Sequence, residues 1–401
     1  MSRAASSLAT RRLGHLLAAT LGVTTTAWLG CAARPAVRPG TSPPTDARAA
    51  AAPAHDASEA IERSLAQLSL EEKVAQLVIA FAPPGDGPIR QGGVILMGKA
   101  LRDPSTLRAR VEALQRRSGS PLLVAVDLEG GELNRLKGLP TMAAFPTARE
   151  MGEEGGWEAE AWGRRAGLDL SALGVNMSLG PVLDLASSGF MAETGRSLGD
   201  DPIRVARLAR AFARGLSSAG ILAIGKHYPG YGAAQGSSDK ALLHVARSAQ
   251  EIARHQAAFV SASDVLAGVM LANVAFAAYG DVPAILSPEL VARAHLSGFL
   301  AVTDDLAVPS LLEATRGDAA ELWRRAFLAG NDILLTTAPC EWPGLPDPRT
   351  VLVELVRARP ELRPRLDESV RRVLRLKERA GLRFSASHPP DPAGESASSG
   401  P

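Results

Sequence analysis

Cysteine is nearly absent from this chain: its 401 residues include only Cys31 and Cys340. That count excludes a disulfide framework and leaves no cysteine spacing suited to zinc. An excess of one charge is also missing. The formal net charge is +2, with Lys/Arg and Asp/Glu interspersed, so no basic face points to nucleic acid. Aromatic residues make up only 4%. The glycine clusters GGE and GYG lack both the GxGxxG spacing and the Walker Lys-Ser/Thr, so no nucleotide-binding loop is expected. The longest apolar stretch, Leu16 to Leu29, is short for a membrane span. What remains is a chain that is 46% hydrophobic, ample for a large core.

The two ends read as separate from the fold. Residues 1–31 have a basic start (Arg3, Arg11, Arg12), then the apolar stretch, then Trp28-Leu29-Gly30-Cys31, the layout of an export signal. A small residue before cysteine resembles a bacterial lipobox, with Trp28 where leucine is usual, so Cys31 is the expected lipidation site. The alternative is an ordinary signal peptide with a coincidental cysteine. Residues 32–57 are rich in Ala, Pro, Arg and Thr and are expected to form a disordered tether, as is the tail 385–401. An exported, envelope or periplasmic monomer follows, touching membrane only through a lipid anchor.

Residues 58–384 alternate between two patterns. Eight apolar, strand-like runs occur at Gln76–Phe81, Gly93–Met97, Leu122–Asp127, Val175–Leu185, Ile221–Gly225, Gly268–Val274, Leu300–Asp305 and Asp332–Thr337. Helical periodicity marks Asp103–Arg117, Trp157–Leu173, Pro202–Ser218, Ala249–Ser263, Pro288–His295, Ser310–Leu328 and Arg363–Arg379. Continuous apolar strands alternating with helices indicate a parallel sheet covered on both faces. Eight such units in one domain favour an α/β fold of the (β/α)8 TIM-barrel type over an open doubly wound sheet.

Polar groups collect at the strand ends: Asp127 and Glu129, Asp184, Lys226 and His227, Asn273, Asp304 and Asp305. Barrel enzymes build their sites on that face. Carboxylates accept from sugar hydroxyls while Lys, His and Arg donate to sugar oxygens, so the set suits a hydroxylated substrate, with no metal or other cofactor expected. Glycoside hydrolysis by paired carboxylates competes with Schiff-base chemistry on Lys226. The neighbouring histidine and the polar, glycine-rich loop fit the second poorly.

Several ordered motifs resemble the single-domain bacterial β-N-acetylglucosaminidases of glycoside hydrolase family 3. AVDLEGGELNRL is similar to that family's VDQEGGRVQRL, KHYPGYG to KHFPGHG, ANV to AHV and VTDDL to FSDDL; GGVILM, GPVLDL and GRSLGDDP also correspond. The resemblance covers residues 62–380 and implies a TIM-type barrel and retaining hydrolysis of terminal β-linked N-acetylglucosamine, commonly from peptidoglycan fragments. It makes Asp304 the nucleophile and puts Asp127, Arg135, Arg196, Lys226, His227 and Asn273 on sugar-binding positions. Glu129 and Asp305 are read as supporting acids or helix caps.

The departures that bear most on catalysis fall in the loop after KHYPGYG. The family's Asp-Ser-His, whose histidine is the acid/base, corresponds to Ser237, Ser238 and Asp239, and Arg247-Ser248 shows that the register is kept. Tyr231 stands for the histidine of PGHG, Glu132 for an arginine and Asn273 for the histidine of AHV. Two readings follow. Asp239 itself serves as acid/base, as carboxylates do in most retaining glycosidases. Otherwise general acid help is lost and the protein is a degenerate glycan-binding lipoprotein. His244 is a further candidate, beyond the loop.

Overall fold

A computed structural model describes residues 54–82, 85–101, 103–232, 234–337 and 344–384. The expected signal peptide, Cys31, most of the expected tether, Cys340, the tail after Phe384 and the Glu132 side chain lie outside the described residues.

Eleven strands are present among the described residues: β1 (Val78–Ala80), β2 (Gly93–Leu96), β3 (Leu123–Asp127), β4 (Met177–Val182), β5 (Leu222–Tyr228), β6 (Leu243–Val245), β7 (Gly268–Leu271), β8 (Val274–Phe276), β9 (Val282–Pro283), β10 (Ala301–Thr303) and β11 (Leu334–Thr336). Eight run parallel in the order β10-β7-β5-β4-β3-β2-β1-β11. A parallel bridge between Val302 and Ile333 joins β10 to the start of β11 and brings the two edges together. This is the (β/α)8 barrel expected from the alternation.

The barrel strands bury both faces, which is why they read as continuous apolar runs rather than alternating ones. On β3, Leu123 and Ala125 belong to the inner cluster with Ile79, Met177, Ile224 and Leu335. Val124 and Val126 pack outward against the helical layer. Val373 and Leu376 of the last helix, Arg363–Arg379, join the inner cluster. Among the described residues, no helix is long and apolar enough to cross a membrane.

Several expected boundaries are corrected. A helix, Ala54–Gln67, begins inside the stretch assigned to the tether, because Ile61 and Leu65 are buried and Arg371 of the last helix donates to Glu62 at 2.5 Å. The run 268–274 divides: β7 ends at Leu271, and Val274–Phe276 forms β8 in a separate three-stranded sheet with β6 and β9. The helix expected over 310–328 is two helices, Pro309–Ala314 and Ala319–Ala329, parted where Arg316 adopts φ 55 before Gly317. Helices at Leu70–Gln76, Ala148–Glu154 and Pro348–Ala358 complete the outer layer.

Candidate functional site

Strand β5 runs further than its apolar pattern suggested. It continues through Tyr228, with Lys226 paired in register with Val182 of β4 and with Met270 of β7. Lys226 and His227 therefore sit on the barrel wall rather than in the following loop, and both are buried.

Around them the strand ends converge. Glu129 follows β3 in a turn that only glycine permits: Gly130 has φ +87, and a Cβ there would lie 1.9 Å from the Pro146 carbonyl oxygen. The turn delivers the Glu129 carboxylate between two cations. Arg196 holds it bidentately, Nε to Oε2 at 2.5 Å and Nη2 to Oε1 at 2.7 Å. The Lys226 ammonium lies 2.6 Å from Oε1. Lys226 also donates to Asp127, whose other oxygen is 3.9 Å from Arg135. Burial opposes ionisation of Glu129, but Lys226 and Arg196 overcome it and hold the carboxyl well below the usual range. Burial likewise pulls the Lys226 ammonium down, and the carboxylates of Asp127 and Glu129 more than offset it, so its pKa is raised. A lysine held charged in this way is no Schiff-base nucleophile. Glu129 is thus a buried counter-ion that fixes two predicted sugar-binding cations, and not a helix cap.

Asp184, beyond the end of β4, is fully buried and organises a second group. One oxygen lies 2.7 Å from His227 Nδ1, and the other accepts from the Tyr231 N–H at 2.6 Å. With Nδ1 held by a carboxylate, Nε2 is the nitrogen left to meet a ligand. Asp184 was visible only as one more polar strand end; its tie to His227 crosses 43 positions of sequence.

Asp304 follows β10. Its Oδ1 accepts from the Asp305 N–H at 2.8 Å. Burial pushes its carboxyl up to about 6; His227 pulls against this, and the negative charge of Asp239 adds to it. The two predicted catalytic carboxylates therefore lie within electrostatic reach of one another, as does Lys226. Asp239 is exposed. Asp305 points elsewhere: it accepts from the Thr337 N–H (2.9 Å) and hydroxyl (2.7 Å) and from the Ala307 N–H (2.9 Å), bracing the ends of β10 and β11. Asn273, fully buried, donates to the Asp305 carbonyl at 3.1 Å, while its Oδ1 has no hydrogen-bond partner among the described residues.

The eight predicted site residues thus gather at the strand ends of one barrel face. His244 is the exception among the candidates. It is exposed on β6, with Nδ1 2.8 Å from Asp281. Sequence reasoning marked Tyr231 only as a departure from the PGHG motif and passed over the buried hydroxyl of Ser310, which no local signal marks.

Several known proteins are similar to this chain. The β-hexosaminidase of Pseudomonas aeruginosa (strain PAO1) is 34% identical over 254 residues, covering 60% of this chain and 74% of that protein. That of Alkalilimnicola ehrlichii is 33% identical over 285 residues, covering 65% of this chain and 79% of that one. The glycoside hydrolase family 3 β-N-acetylglucosaminidase structure from Paenibacillus sp. FPU-7 superposes with a TM-score of 0.70 at 29% identity, over 81% of this chain. This chain spans 65% of that longer protein. The β-N-acetylhexosaminidase structure from Beutenbergia cavernae gives 0.68 at 28% identity, over 78% of this chain and 99% of that one. The sequence model described as the glycosyl hydrolase family 3 N-terminal domain matches residues 69–376, and on that match, joined to the barrel and its strand-end carboxylates, the chain belongs to glycosyl hydrolase family 3.

Proposed function

We propose that this protein is a retaining glycosidase that removes terminal β-linked N-acetylglucosamine, with peptidoglycan fragments as its natural substrate class. The observation that carries the reading is the barrel face on which Asp304, at the end of β10, stands with the ion-paired Asp127, Lys226, Glu129 and Arg196 and the Asp184-held His227. Asp304 attacks the anomeric carbon as the bond to the departing oxygen breaks, and Asp239 delivers a proton to that oxygen. Asp239 then takes a proton from water, whose oxygen displaces Asp304 and releases the sugar. Asp127, Lys226 and His227, with Arg135, Arg196 and Asn273, hold the ring in place. The hydrolase names of the relatives support turnover over a binding-only lipoprotein.

The test uses a dinitrophenyl β-N-acetylglucosaminide, whose leaving group needs no proton. In Asp239→Ala, the first step proceeds and the second stalls, so a glycosyl adduct accumulates and peptide mass spectrometry locates it on Asp304. An adduct on another residue, or full turnover by Asp304→Ala, would sink the assignment.

We also propose that the chain is exported as a monomer and held to a membrane by a lipid on Cys31. Labelled fatty acid is expected in the wild-type protein and not in Cys31→Ser.

A further inference from the structure

The loop after β5 is where the family motif is lost, and it is also where the structure holds bonds that sugar binding does not explain. Gly230 (φ +131) turns the chain tightly over His255, leaving no room for a Cβ, which would lie 2.6 Å from the His255 Cβ. Tyr231 then turns its side chain inward, and both it and Ser238 are buried. Its hydroxyl donates to the Gly236 carbonyl and accepts from the Ser238 N–H, each at 2.8 Å. On the other side of the same residue, the Ser238 carbonyl accepts from the hydroxyl of Ser310. Ser310 is fully buried in the Pro309–Ala314 helix, the element that follows Asp304. Ser237 completes the frame, its hydroxyl accepting from the Asp239 N–H at 3.3 Å and its carbonyl from the Lys240 N–H at 3.2 Å.

The backbone on both sides of Asp239 is therefore tied down, whereas among the described residues its carboxylate makes no hydrogen bond. The clamp also reaches the sugar-holding groups. The Tyr231 ring lies 5.8 Å from that of His227, and its N–H donates to Asp184, the carboxylate that holds His227. An aspartate has few bonds about which to adjust, so its aim must come from the backbone.

We infer that Tyr231 and Ser310 are positioning residues: they clamp Ser238 from either side and so aim Asp239 at the oxygen leaving the sugar. The inference rests on Asp239 being the acid/base.

The test compares the full chain with Tyr231→Phe, Ser310→Ala and Asp239→Ala on dinitrophenyl and phenyl β-N-acetylglucosaminides. Only the phenyl leaving group needs a proton. In both clamp variants kcat/KM for the phenyl substrate is expected to fall about tenfold or more, because a misaimed acid loses much of its effect. The dinitrophenyl value should stay within about twofold, since nucleophilic attack needs no acid. Ser310→Ala stands as an independent variant should Tyr231→Phe fold poorly. Equal losses on both substrates would show a merely structural role, and unchanged rates on both would show none; either overturns the inference. If Asp239→Ala discriminates by leaving group and the clamp variants do not, the clamp falls and the acid/base reading stands. If Asp239→Ala does not discriminate, both fall.

Discussion

Replacing Asp304 with asparagine should abolish activity and stabilise the protein, and the stabilisation should depend on pH. In the fold, burial, with the nearby charge of Asp239 adding to it, lifts this carboxyl from its ordinary 3.8 to about 6. The unfolded chain ionises it near 3.8. Above pH 6 the fold therefore bears the full cost of an unfavourably placed charge. Between pH 6 and 3.8 that cost shrinks, and below 3.8 it disappears. The shift is worth about 3 kcal/mol at 1.36 kcal/mol per pKa unit. Asp304 keeps partial contact with solvent, so about 1–3 kcal/mol is the expected range after screening. The asparagine side chain would keep an acceptor for the Asp305 N–H and carry no charge. For a body of this size, that corresponds to a rise in Tm of roughly 1–4 °C. Thermal unfolding of wild type and Asp304→Asn at pH 8 and pH 3.5 checks this: a gain at pH 8 should be absent at pH 3.5. An unchanged or lower Tm at pH 8 would refute the reasoning, as would an equal gain at both. The same shift predicts that wild-type kcat/KM falls as pH drops through about 6, because the nucleophile must be ionised.

Two further predictions concern buried charges. Glu129→Gln keeps the shape but leaves Arg196 and Lys226 without their shared counter-ion, so a loss of about 3–5 kcal/mol is expected in denaturant titrations, with weaker substrate binding. A loss below about 1 kcal/mol would mean that Asp127 alone suffices. Lys377 is buried in the last helix with Nζ 2.6 Å from Gln76 Oε1, and burial brings its pKa from 10.5 to about 7. The fold disfavours its charge fully below pH 7 and progressively less up to 10.5. Lys377→Met should therefore stabilise by a few kcal/mol at pH 6, after about 1–3 kcal/mol is lost at the unpaired Gln76 oxygen. The gain should shrink by pH 9.5; an equal gain at both would contradict a buried ammonium as its source.

Much of this protein is legible without coordinates, for a physical reason. Strands buried on both faces must be apolar along their whole length, and helices on one face must repeat their apolar residues, so alternation alone points to a parallel barrel. The groups at strand ends are legible too, because a polar residue just past an apolar run has few places to go but the barrel rim. That places Asp127, Lys226, Asp304 and Asn273 on one face from order alone. The family resemblance rests on short contiguous motifs and needs no contact information.

Contacts between distant positions were settled by tertiary structure alone. Periodicity reports which side of an element faces the core and says nothing about what meets it there. Glu129 could equally have capped a helix until Arg196, 67 positions later, was found to grip it. Nothing near Ser310 announces that it holds the carbonyl of Ser238, 72 positions earlier. Local pattern also overstated one helix and one strand, where a positive φ at Arg316 and the departure of residues 274–276 into a second sheet cut apolar runs in two. The residues that would do chemistry on this chain could thus be named from sequence, whereas those that would aim them required the fold, because aiming depends on contacts that chain order does not encode.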